Sequence, residues 1–183
     1  MGYALKHFKD VAGSVGLLPG AVSFLKENVG RGKYNEDMLF HTPGIGLNLY
    51  LYAQMGPRCE EDVAFTLARF AHGASGEPFL GHPNFTPEQF LQIIDSFKDV
   101  QNKIFALSSC GAIKSLAQEG SGYRLQFVTL LLNLSDEDCR TFVETTFSDS
   151  DALALEKIKM HFLESKLAQK PATDHQEESP VPQ

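Results

Sequence analysis

Apolar residues return along the middle of this chain at intervals of three and four. Phe90, Ile93, Ile94, Phe97, Val100, Ile104 and Leu107 form the longest such series, the signature of one buried helical face. Its start is marked as clearly as its stripe. Thr86 stands where an N-cap belongs, Pro87 takes the first helical position, and Gln89 completes a capping box. Phe85 and Phe90 flank the cap at the spacing of a hydrophobic staple. The pattern predicts a single helix from Pro87 to Leu107, about 30 Å long.

The same grammar recurs on both sides. Thr42-Pro43 and Gly56-Pro57 bracket GIGLNLYLYAQM, which is expected to be helical although LNLYLY alternates well enough for a strand. CEEDVAFTLARFAH follows, with acids in its first turn and Gly73 at its end. After the break at Gly120-Ser121-Gly122, YRLQFVTLLLNL is apolar nearly all round and suits an interior helix. Ser135 precedes DEDCRTFVETTF, with Asp138 at the box position. Leu153, Leu155, Ile158, Phe162 and Leu167 give the last helical segment an apolar face. The N-terminal third reads as two short helices, LKHFKDV and GAVSFLKENV, parted by GSVGLLPG.

These elements predict an all-α, compact orthogonal bundle of about seven or eight short capped helices. One domain over residues 1–168 accommodates them. The stretch 169–183 has three prolines, few apolar residues and three acids, and is expected to be a disordered tail. Composition agrees with a globular protein: of 183 residues, 43% are hydrophobic and 21% charged. Fourteen Phe and no Trp mean that an aromatic core must be built from phenyl rings.

Charge and cysteine usage narrow the classes further. A formal net charge of −7 argues against a generally nucleic-acid-binding surface. Residues 1–60 nevertheless carry six Lys or Arg against five acids, so a locally basic N-terminal face is compatible with the total. Cys59, Cys110 and Cys139 are odd in number and widely spaced, which fits reduced thiols better than a disulfide framework. With no signal-peptide pattern at the start and no apolar run near the ~20 residues of a membrane span, a cytoplasmic protein is expected. Met1-Gly2 is not read as a myristoylation site, because Lys6 stands where Ser or Thr is required.

Few residues suggest chemistry. His72 and His82 flank a loop rich in glycine and proline, with Glu77 between them, but a metal site needs about four suitable ligands. That loop is read as a connector. VGRGKY fails as a phosphate loop: Glu27 occupies the first glycine position and Tyr34 the magnesium-ligating one. GIGLNL fails as a dinucleotide fingerprint at Leu49. Cys110, in SSCG, is read as a core-facing thiol, and Glu60, Glu61 and Asp62 as acids serving a helix start.

The sequence therefore leads to an expectation without a catalytic residue, cofactor or metal: an α-helical interaction or regulatory protein that binds a protein partner. The alternative is an RNA-binding helical protein, possible in oligomeric form. It would use the basic and aromatic cluster Lys26, Arg31, Lys33 and Tyr34, joined by Lys6 and Lys9 if the N-terminal helices pack together. Against it, Glu27, Glu36 and Asp37 lie among the same residues.

Overall fold

Most of the long apolar stripe is buried, but it does not lie on one helix. In the computed structural model, which describes residues 8–32, 36–73, 82–109 and 122–146, the stripe is divided between two helices. The described residues form nine helices and no strand, an all-α bundle. They are α1 (Phe8–Ala12), α2 (Pro19–Asn28), α3 (Glu36–Phe40), α4 (Ile45–Ala53) and α5 (Pro57–Gly73). After these come α6 (Pro87–Ser96), α7 (Val100–Ser108), α8 (Arg124–Leu132) and α9 (Asp136–Thr146). No helix among them is long and apolar enough to cross a membrane. The expected helix after residue 150, the tail, Cys110, Glu77, Lys6, Lys33 and Tyr34 lie outside the described residues.

The segment that could have been helix or strand is α4, and it sits at the centre. Gly44 takes a left-handed φ of 74° just before it, a conformation glycine adopts without steric cost. Ile45 and Leu49 are then fully buried, and α1, α2, α5 and α6 all pack on this helix. Gly46 is required by closeness rather than by φ. A Cβ there would come within 2.9 Å of the Gln89 side chain and 3.0 Å of the Phe8 ring. From α4 the packing passes outward: α5 lies on α7, α7 on α9, and α8 on α6. One hydrophobic core runs from Phe8 to Phe142, with Phe40, Phe85, Phe90, Phe127 and Phe142 among its largest fully buried side chains.

The predicted capping box is present: Thr86 Oγ1 accepts the Gln89 N–H at 3.3 Å, and Gln89 Oε1 accepts the Thr86 N–H at 3.1 Å. The predicted end of that helix is not. Phe97 leaves helical geometry at ψ 139°, and Asp99 caps a new helix by accepting the Gln101 N–H at 2.8 Å. In a continuous helix the N–H groups of Lys98 and Asp99 would bond to carbonyls four residues earlier. Here both donate instead to Glu60, and the Asp95 carbonyl accepts the Lys103 ammonium at 3.0 Å. The break is held by side chains on each side of it.

Candidate functional site: the α5–α7 cleft

Glu60 lies in the first turn of α5, among the acids expected at a helix start, yet it is buried. Its Oε2 accepts the Lys98 N–H at 2.8 Å. Its Oε1 accepts the Asp99 N–H at 2.9 Å and the Asn102 amide at 3.0 Å. With both oxygens engaged, the carboxylate fixes the start of α7 against the start of α5. Its role here is structural.

Above it opens a cleft of about 840 Å³, between the beginning of α5, α7 and the turn that follows α2. Phe65 and Phe105 form its aromatic surface, with ring centroids 6.0 Å apart and planes 23° apart. Phe105 is 44% exposed, a large apolar surface open for a ligand to cover. Arg31, Arg58 and Lys98 line the cleft together with Glu60, Glu61 and Asp99, so its charges balance. Gln54, Gln101 and Asn102 add polar amide groups.

Arg31 reaches this cleft because of the two glycines around it. Gly30 has φ 109° and Gly32 has φ 73°, so the turn needs residues without a Cβ. The Gly30 N–H donates to Thr66 Oγ1 at 2.8 Å, and Thr66 Oγ1 donates to the Asp62 carbonyl at 2.9 Å. A Cβ on Gly30 would meet Asp62 Oδ1 at 2.8 Å. The turn is thereby pressed onto α5, which brings the Arg31 guanidinium 5.3 Å from the centre of the Phe65 ring. Glu61 lies 3.8 Å from Arg31 and 3.2 Å from Arg58, and Asp62 lies 3.4 Å from Arg58. Within the stretch that fails as a phosphate loop, residues 30–32 form a turn docked on α5.

The protein matches no family model, and neither curated proteins nor solved structures show a match to it. The chemistry must therefore be read from the side chains alone. Glu60 accepts three hydrogen bonds from within the fold, and Glu61 lies between two guanidinium groups. An exposed aromatic surface edged by both signs of charge is an arrangement for binding.

Of the four residues in the expected basic cluster, the structure describes two. Arg31 belongs to the cleft, whereas Lys26 lies exposed in the last turn of α2 and does not line it. Residues 74–81, the body of the histidine loop read as a connector, lie outside the described residues, and His82 is described at its end. The His82 ring packs 4.9 Å from His41 and edge-on to Phe70 at 5.7 Å, and its Nδ1 accepts the Asn84 N–H at 3.3 Å. Burial, with the neighbouring His41 adding to it, pushes the His82 pKa down. Phe40, Phe70 and Phe85 close behind this pair, centroids 4.0 to 5.3 Å apart. The His72 side chain lies outside what the structure describes.

Burial of Tyr52 on α4, then the neighbouring Cys59 thiol and the Asp62 carboxylate, push its phenol up to about 12. From the sequence, Glu60 is expected as a helix-start acid and Arg31 as part of a basic cluster, while Phe65 and Phe105 are missed as a pair. Phe65 belongs to the α5 apolar period, and Phe105 falls one position beyond the Ile104 stripe. An aromatic residue just off a buried stripe was the available signal.

Proposed function

We propose that the protein acts by binding a protein partner, which docks on the α5–α7 cleft, and not by catalysis. The observation that carries this reading is the half-open Phe65–Phe105 surface edged by three cations and three carboxylates. Aromatic anchors inside a polar rim are how protein interfaces concentrate binding energy. The RNA-binding alternative gains Arg31 beside an exposed aromatic ring, the elements of a stacking site. It loses more, because a phosphate arriving there would have to displace Glu61 and lie near Asp62 and Asp99.

The test is photo-crosslinking in cells from a benzoylphenylalanine at exposed residue 101 on the cleft. Protein adducts are expected that disappear when Phe105→Glu is added, while the same variant stays folded by circular dichroism. RNA adducts in their place, together with salt-sensitive RNA binding abolished by Arg31→Ala, would overturn the reading.

A further inference from the structure

The apolar stripe from Phe90 to Leu107 keeps one helical spacing through the Phe97 break, although α6 and α7 are separate helices. Residues 88–109 contain no glycine or proline, so the chemistry of the backbone does not require a break there. Carboxylates hold it instead. Glu60 accepts the N–H groups of Lys98 and Asp99, and Asp99 Oδ1 accepts that of Gln101. In a straight helix all three would go to main-chain carbonyls four residues back. The stretch therefore has two self-consistent arrangements, and Glu60 selects the bent one from outside it.

A straight helix over 87–108 would be about 30 Å long and would carry α7 away from its own α5. Ala106 and Leu107, fully buried in the bent form, would lose their cover, and Phe105 its place beside Phe65. The contact of α8 with α6 would part as well. These two helices line a second cleft, of about 510 Å³, and Gln126 Nε2 donates to Glu88 Oε1 across it at 3.1 Å. Gln92 of α6 also lines this α6–α8 cleft, and its Oε1 accepts the Phe8 N–H at 2.9 Å. Gln92 Nε2 and Gln126 Oε1 are buried without a partner among the described residues. Opening there gives both to water, which offsets part of the loss.

A second copy opened in the same way offers an identical α5 and α6. Exchange of α7–α9 between two copies remakes these contacts with the same residues across a twofold axis, and only the hinge differs. We propose that residues 97–99 are such a hinge: freed from Glu60, the chain straightens over 87–108 and exchanges α7–α9 with a second copy. Glu60 is the latch that keeps the chain closed, because straightening takes two main-chain donors from a buried carboxylate. In the exchanged pair, Phe65 of each copy lies beside Phe105 of the other. The proposal goes beyond docking at the α5–α7 cleft and does not rest on it.

The parent and Glu60→Gln, both full length, are refolded from urea at about 1 mM, the scale on which a second chain competes with a chain's own segment. Size-exclusion chromatography with light scattering reads the dimer. Glu60→Gln weakens the latch and should give about tenfold more dimer than the parent, the factor carried by one bond to a charged group. Val100→Pro separates exchange from surface association. Val100 opens α7 after an extended Asp99 (φ −86°, ψ 116°), a place where proline suits the bent form. Inside a straight helix the same proline breaks the ladder. Added to Glu60→Gln, it should return the protein to monomer. If Glu60→Gln does not refold, Asp99→Ala takes its place. It removes the α7 cap, which a straight helix does not need, and should raise the dimer about fivefold. No more dimer than in the parent, or a dimer that survives Val100→Pro, overturns the proposal.

Discussion

At the α5–α7 cleft the buried carboxylate of Glu60 meets three donors, two of them backbone N–H groups. At the α6–α8 cleft a buried amide nitrogen and a buried amide oxygen meet none among the described residues. Both clefts take residues from the same short stretch, Asp95 and Ser96 for one, Lys98 and Asp99 for the other. Gln54, on the first, donates to Ser96 Oγ on the second at 3.1 Å. The contrast separates two uses of a buried polar group. Where both oxygens are engaged from within, the group specifies the fold. Where the answers are missing, the local rules are broken without internal compensation, and such positions are where function is expected.

The largest effect should come from breaking the answered side. Glu60→Ala removes the acceptor for two backbone donors and one amide, and is expected to cost about 3–5 kcal/mol. Glu60→Gln retains one acceptor oxygen and should cost less than the alanine. Urea denaturation of the three proteins measures both. A loss under about 1 kcal/mol for Glu60→Ala would mean that the break at Phe97 holds itself, and the comparison would lose its first half.

Gly30→Ala comes next, at about 2 kcal/mol, because it combines a positive φ with a Cβ against the Asp62 carboxylate. It should also free the Arg31 turn from α5, so protection of the Gly30 amide against hydrogen exchange should fall. Unchanged protection would show that Thr66 does not hold the turn. Thr86→Ala, at about 1 kcal/mol, calibrates the helix that carries Gln92. An effect within error would mean that α6 is held by packing on α4 rather than by its cap.

What the sequence made legible follows from range. The Thr86 box and the Ser135 cap, with its Asp138 N–H at 3.1 Å, are written within four residues and found where expected, whereas the 87–107 period is divided between two helices and the one after residue 150 lies outside the described residues. The all-α class follows from them. The break inside 87–107 was hidden because Phe97, Val100 and Ile104 keep a helical spacing straight through it. Its cause is Glu60, 38 residues away from Lys98 and indistinguishable in sequence from an ordinary first-turn acid. The basic cluster was legible only as a composition, and the fold carried Arg31 to α5 while leaving Lys26 elsewhere. Nothing local marked Gln92 or Gln126, since glutamine suits any exposed helical position.

The smallest expected change tests the unanswered side most directly. Gln92→Met keeps the length of the side chain and removes both of its polar atoms. It loses the bond to the Phe8 N–H, which stands at the first residue of α1. Net, such a bond contributes about 1 kcal/mol, and an N–H at a helix start can find water when the end frays. The substitution also removes the unanswered Nε2, a burden of about 1 kcal/mol or more in the parent protein. The two nearly cancel, so the change in stability should stay within about 0.5 kcal/mol, against several for Glu60→Ala. Denaturation in urea at neutral pH reads both on one scale. A loss above about 2 kcal/mol would mean that Nε2 is answered in the free protein. The α6–α8 cleft would then be as self-sufficient as its neighbour.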